Sequence, residues 1–215
     1  MKLYVYDHCP FCVRSRMIIG LKDIACEIIT LPNDDEATPT RLIGKKMLPV
    51  LVTESNEAMG ESLDIVKYID ETYGSAVVTV PENSAIEAWM EEATKLIYPL
   101  AIPRWARADF DEFRQDAARK YFVNKKETVF GPLPDLLEQT ATMVSEINAK
   151  LEILELLLSQ QERDTGHFSL SDIRLFPLLR SLSIVKGIHW PPQIDAWRKE
   201  MAARSQVNLN DDIAI

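Results

Sequence analysis

The chain has 215 residues, room for one large domain or two small ones, and 47% of them are hydrophobic, enough for a sizeable core. Its net charge is −9 and the acidity is even: residues 1–72 carry 8 basic and 12 acidic side chains, the remainder 16 and 21. Neither part reads as a nucleic-acid arm, and no apolar run approaches the roughly 20 residues that span a bilayer, so nucleic acid and membrane are not expected partners.

The chain opens MKLYVYDH, where Asp7 and His8 follow too soon for a signal peptide. The expected compartment is therefore the cytosol, which keeps thiols reduced. Within this opening, KLYVY is rich in β-branched and aromatic residues and predicts a buried strand. In PFCVRSRMIIGLK, Pro10 suits a first helical position, and Val13, Met17 and Leu21 recur every four residues. The order is strand, Cys9 at the turn, then a helix with Cys12 in its first turn.

That placement gives the two cysteines a chemistry. Residues three apart in a first helical turn share a face, so a disulfide between them can open and close with little backbone movement. The helix N-terminus favours an anion, which lowers the pKa of Cys9 and makes its thiolate the nucleophile. Cys12 lies inside the turn as the resolving thiol. Two small core residues paired by chance is the bland alternative, and strand–CPxC–helix placement speaks against it. Three cysteines make no disulfide framework. Structural zinc wants four ligands, commonly as two pairs; here there is one pair, with His167 and His189 far off, so redox chemistry ranks above metal binding. Cys26 lies in ACEIITL, a predicted second strand, and reads as a small buried side chain.

LPNDDEATP reads as a polar loop, and TPTRLIGKK as a short helix ending near Gly44. Leu48-Pro49 opens a strand, VLV; spacing does not reveal the isomer, and trans is usual. After SNEAMG, ESLDIVKYIDETYG predicts a helix with Ser62 as N-cap, Leu63, Val66, Ile69 and Tyr73 on its apolar face, and Gly74 at its stop. On spacing alone, Glu61 is a solvated acid. A linker is expected at about 73–84, followed by SAIEAWMEEATKL with Ser84 and Glu87 at capping-box spacing. Pro99, Pro103 and Pro177 are expected to kink or interrupt helices. RWAR and NKKE read as solvated faces or interdomain contacts. Residues 133–158 predict one long amphipathic helix whose end, LEILELLLSQ, is apolar over more than one face and expected to be deeply packed; a coiled-coil partner is the weaker reading.

The series YVYDHCPFC, LP opening a strand and ES opening a helix resembles the glutaredoxin and glutathione transferase branch of the thioredoxin superfamily. With FSLSDIRLFPLLRSL, DFDEF, AARKYFVNKKE and GIHWPP, the chain resembles, over its full length, glutaredoxins with a transferase-like two-domain fold. The resemblance implies α/β plus all-α architecture: a thioredoxin-like domain over 1–72, the linker at 73–84 and an all-helical transferase-like domain over 85–215. It puts Ser169 and Asp172 at the N-cap and third position of a folding-nucleus helix.

It also implies a site. Cys9 takes the nucleophile position and Cys12 the resolving one. Pro49 takes the cis-proline position, with the backbone of Leu48 holding glutathione, and Glu61 and Ser62 receive the γ-glutamyl end. Phe11 stands where tyrosine is commoner; the missing hydroxyl bears on substrate preference, not on thiol chemistry. The implied activity is glutathione-dependent reduction of glutathione mixed disulfides and of protein disulfides, with glutathione as co-substrate, no metal, and a monomeric chain. Alternatives are a cysteine-type glutathione transferase or dehydroascorbate reductase, for which Cys12 has no use, a non-catalytic interaction module, for which Cys9 is needlessly well placed, and, third, a cluster-binding protein.

Overall fold

The computed structural model describes residues 1–160 and 166–215. The first third folds as β1 (Lys2–Val5), α1 (Pro10–Leu21), β2 (Glu27–Thr30), α2 (Ala37–Ile43), β3 (Val50–Val52), β4 (Ala58–Met59) and α3 (Ser62–Thr72). The sheet order is β2-β1-β3-β4, with β1 parallel to β2 and antiparallel to β3, and β3 antiparallel to β4. Parallel neighbours need a crossover, and α1 supplies it. Its buried side chains include Cys12, Val13, Met17 and Ile18. α1 packs on α3 within this domain and on two helices of the next, so the helix that carries the cysteines is held from both sides.

Several local expectations need correction. Cys26 precedes β2 instead of lying in it, and is half-buried. β4 was hidden because it has two residues, Ala58 and Met59, set off by a polar turn in which Thr53 N–H donates to the Glu57 carbonyl at 2.9 Å. Glu61, not Ser62, is the N-cap of α3; it has φ 62°, and Ser62 is the first helical residue, buried.

The linker carries structure. Its β5 (Val78–Val80) pairs in parallel with β6 (Phe168–Ser169) from far along the chain. Asp70, buried on α3, accepts from the N–H groups of Val77 at 2.9 Å and Val78 at 3.1 Å. Lys22, just past α1, donates to Asp70 Oδ1 at 3.1 Å and to the Ser75 carbonyl at 2.8 Å. Removing one partner of such a buried pair costs about 3–5 kcal/mol, so this cluster fixes the angle at which the chain leaves the first domain.

The helical part comprises α4 (Ser84–Trp105), a 3-10 turn at Asp111–Phe113, α5 (Asp116–Phe130), α6 (Leu133–Glu138), α7 (Thr140–Ser159), α8 (Leu170–Leu182), α9 (Pro192–Ser205) and a second 3-10 turn at Asp211–Ile213. The α4 cap is Asn83, whose side chain accepts from Ala85 and Ile86 N–H at 3.0 and 3.2 Å. Glu87 does not reach back to close a capping box. It accepts from Ser171 Oγ at 2.7 Å and Arg174 at 2.9 Å, tying α4 to α8. Ser169 and Asp172 do form one: Ser169 Oγ accepts from Asp172 N–H at 3.1 Å and Asp172 accepts from Ser169 N–H at 2.8 Å.

Pro99 and Pro103 lie inside α4 and Pro177 inside α8, and neither helix is interrupted. Burial of the flanking turns outweighs the ladder bond that each proline removes, two in α4 and one in α8. The expected long helix is two, divided at Gln139, where ψ is 0°. Met143, Ile147, Leu151, Leu154 and Leu158 keep the buried period, but Ile153 and Leu156 are 54% and 63% exposed, so α7 buries one face only. Arg104 and Trp105 of RWAR are not solvated. Arg104 holds the Ile215 carbonyl at 2.8 Å and the Leu100 carbonyl at 2.7 Å, and Trp105 faces the first domain. Among the described residues, no helix is long and apolar enough to cross a membrane.

Candidate active site

β1 runs antiparallel to β3 with Tyr4 opposite Val50, and β3 runs antiparallel to β4 with Leu51 opposite Met59. That register places three sequence-distant segments at one sheet end: the turn after β1, the residues before β3 and those after β4. The first holds Cys9, the second Leu48-Pro49, the third Glu61 and Ser62. The Leu48-Pro49 peptide is cis, as the resemblance implies. Leu48 and Pro49 are buried, and exposed Glu61 pairs with Lys45 at 2.9 Å.

Cys9 is the N-cap of α1, half-buried, and its carbonyl accepts from Val13 N–H at 3.0 Å. Cys12 is fully buried one turn on, and both are free thiols. Tyr6 N–H donates to Cys12 Sγ at 3.4 Å. The environments split the two thiols. A hydrogen bond from Cys12, helped by the charge of His8 and the amides of Cys12 and Phe11, outweighs desolvation and brings Cys9 down to about 6. Desolvation, then the hydrogen bond to Cys9 and its charge, drive Cys12 well up. One thiol is therefore an anion at neutral pH and its neighbour a proton donor, the division of labour a nucleophile and a resolving thiol require. Arg14, Tyr98 on α4 and Lys126 on α5 lie close enough for the Cys9 charge to act on them. Phe11, 46% exposed, has the Arg14 guanidinium 4.6 Å above its ring.

Residues of the turn that spacing did not single out are held from the helical domain. Arg180 on α8 donates to the Asp7 carbonyl at 2.7 Å and to its carboxylate at 3.1 Å, and Arg16 pairs with the same carboxylate. Burial pushes the Asp7 carboxyl up, but the two arginines prevail and hold it below its ordinary value. These partners lie up to 173 residues apart in sequence, so no local pattern could announce them.

Thiolate character is directly measurable. Iodoacetamide should label Cys9 first, with a rate that is half-maximal near pH 6 and flat above about pH 7, because the thiolate fraction rises through the depressed pKa and then saturates. Peptide mapping that finds Cys12 or Cys26 labelled ahead of Cys9 would reverse the assignment.

A split-pKa dithiol at the end of such a sheet, backed by an all-helical domain, belongs to a disulfide oxidoreductase of the thioredoxin superfamily built on the glutathione transferase plan. Residues 3–81 match the family described as glutathione S-transferase, N-terminal domain, and residues 85–214 that described as glutaredoxin 2, C terminal domain. Glutaredoxin 2 of Escherichia coli K12 is 44% identical over 215 residues, 100% of both chains. The structure of glutaredoxin 2 from Salmonella typhimurium in complex with glutathione superposes with a TM-score of 0.96 at 46% identity, covering 100% of this chain and 98% of that one. A glutathione S-transferase of Ceriporiopsis subvermispora shares the fold at 20% identity, with a TM-score of 0.71 over 96% of this chain and 97% of the other. The chain belongs to the glutaredoxin 2 family of glutathione-dependent oxidoreductases.

Proposed function

We propose that the family's reaction runs here through Cys9-Pro10-Phe11-Cys12, and that Leu48, Pro49, Glu61 and Ser62 hold the glutathione. The observation that carries the reading is the placement of a half-buried Cys9 at the N-cap of α1 with a fully buried Cys12 one turn on, environments that lower the first thiol's pKa and raise the second's.

In the monothiol cycle the Cys9 thiolate attacks the glutathionyl sulfur of a mixed disulfide. The substrate's thiolate leaves, and glutathione stays on Cys9. A second glutathione thiolate attacks that glutathionyl sulfur, forming oxidised glutathione and returning the Cys9 thiolate. In the dithiol cycle Cys9 attacks a protein disulfide, Cys12 displaces the second protein thiol, and the Cys9–Cys12 disulfide is reduced by two glutathiones. Rates follow the acidity of attacking and leaving thiols, which favours a Cys9 that is a thiolate and a good leaving group.

In the glutathione site, the Glu61 carboxylate faces the ligand's ammonium and the N-terminus of α3 at Ser62 takes its α-carboxylate. Glu61→Gln should raise KM for glutathione about fivefold, the equivalent of about 1 kcal/mol for an exposed ion pair, and leave kcat nearly unchanged. An unaltered KM would remove Glu61 from the site. The unit boundaries that fit this reading are 1–72, a linker at 73–84 and 85–215, in a cytoplasmic monomer whose clients are glutathionylated or disulfide-containing proteins.

Reduction of a glutathione mixed disulfide coupled to glutathione reductase, run beside conjugation of a generic electrophile, tests the function. The first should be fast and the second weak. Conjugation faster than disulfide reduction would make this a transferase.

A further inference from the structure

Glu112 lies in the 3-10 turn of the helical domain, 1% exposed, 104 residues from the residue it serves. Its Oε1 accepts twice from His8: from the backbone N–H at 3.0 Å and from ring Nδ1 at 2.6 Å. Its Oε2 is buried without a hydrogen-bond partner among the described residues. A carboxylate taken out of water needs compensating donors, and both of these come from the residue next to Cys9. The His8 ring is equally confined. It stacks on Tyr6 and Phe113, with centroids 5.9 and 5.2 Å away, and Trp105, Phe110 and Phe122 close the cage. The ring's position is therefore set by one polar contact and five aromatic ones.

An interdomain rivet could have been built anywhere along the contact between the domains. This one grips the residue immediately before Cys9, by its backbone N–H and its ring, and perturbing groups gather where chemistry is done. We propose that Glu112 is a positioning residue for disulfide exchange, acting on Cys9 through His8, so that the helical domain sets the pose and reactivity of the nucleophile. The proposal deepens the reading of Cys9 as nucleophile and rests on it.

The charges around the pair make the test decisive in sign. Cys9 is faced by Cys12 and Tyr6 of its own domain, by His8 and Arg14, by Tyr98 of α4 and by Lys126 of α5; His8 is faced by Glu112 and Tyr6, and Glu112 in turn by Arg180 of α8 and Cys12. Arg14 and Lys126 stay when Glu112 changes. If Glu112 acted only as a nearby negative charge, removing it would make Cys9 more acidic. If it acts by holding the ring and its proton beside Cys9, removing its charge makes Cys9 less acidic.

Glu112→Gln keeps an oxygen for the two His8 donors and deletes the charge. The pH profile of iodoacetamide labelling, with the labelled cysteine identified by peptide mapping, should shift upward. The rate at pH 6 should drop three- to tenfold and recover by pH 9. A midpoint unmoved or moved downward, with or without a lower melting temperature, overturns the proposal and leaves Glu112 a rivet. If Glu112→Gln does not fold, Glu112→Asp decides: it keeps the charge but draws the carboxylate back from both His8 donors, so a positioning role raises its midpoint and an unmoved midpoint overturns the proposal. Labelling at a cysteine other than Cys9 in the wild type would instead refute the nucleophile assignment.

Discussion

Cys9→Ser should bring both the reduction of glutathione mixed disulfides and the reduction of protein disulfides to background. A serine hydroxyl is not ionised at neutral pH and forms no disulfide, so neither cycle can begin. Cys12→Ser should separate the two. Mixed-disulfide reduction should keep much of the wild-type rate, because the second glutathione attacks the sulfur held on Cys9 and needs no neighbour. Reduction of an intramolecular protein disulfide should fall steeply, since the trapped mixed disulfide then waits for a glutathione from solution instead of a thiol in the same helical turn. Some loss in the first reaction is also expected. The Cys12 thiol gives Cys9 the hydrogen bond that contributes most to its acidity. Cys12→Ser retains a hydroxyl donor there, whereas Cys12→Ala does not, so the alanine variant should be slower than the serine variant near pH 6 and approach it above pH 8. Cys26→Ala should leave both reactions intact, as Cys26 sits half-buried ahead of β2. Equal loss of both activities in Cys12→Ser would show that the resolving thiol takes part in every turnover and refute the monothiol cycle.

The legible parts of the site were those written in neighbouring residues. Strand, turn and helix around Cys9 and Cys12 could be read because a β-rich run, a proline and a four-residue apolar period follow one another within about twenty positions. The isomer of Leu48-Pro49 could not be read from spacing and came from resemblance, which is also what proposes Glu61 and Ser62 for glutathione, because a peptide's isomer and a ligand's contacts leave no periodicity. The split between Glu61 and Ser62 as cap is a one-residue error of the kind expected where the cap's backbone, here φ 62°, decides the boundary. β4, β5 and β6 have two or three residues each and draw their stability from partners elsewhere in the chain. Asp7 with Arg180 and His8 with Glu112 are further still from legibility: each joins two domains, and each residue taken alone reads as an ordinary surface charge or a lone histidine. The apolar excess of LEILELLLSQ misled because composition does not say which face a neighbour covers, and Ile153 and Leu156 are left outward.

The interface that delivers Arg180 and Glu112 to the turn before Cys9 depends on a glycine. Gly20, in the last turn of α1, faces Ser205 at the end of α9, and a Cβ there would lie 1.8 Å from the Ser205 carbonyl oxygen and 2.4 Å from its carbonyl carbon. Those are backbone atoms of a buried residue, and they cannot swing aside as a side-chain tip could. α1 cannot retreat either, because α3 packs on it from its own domain. Gly20→Ala must therefore push α9 away from α1. Overpacking a dense core costs typically about 1–3 kcal/mol. A clash with fixed backbone belongs at or above the top of that range, and the roughly 1 kcal/mol that alanine gains as a helix former offsets only part. At about 2–4 °C per kcal/mol for a chain of this size, the melting temperature should fall by roughly 10 °C. Gly44→Ala is the control: Gly44 has φ 77° and nothing within 4 Å of its added Cβ, so it should show only the left-handed backbone penalty of about 1 kcal/mol. Because α1 carries Cys9 at its other end, a displaced α9 and α8 should also loosen the grip of Arg180 on Asp7, and folded Gly20→Ala protein should label more slowly with iodoacetamide at pH 6 than wild type. A melting temperature within 2 °C of wild type would mean that α1 and α9 do not meet at this glycine.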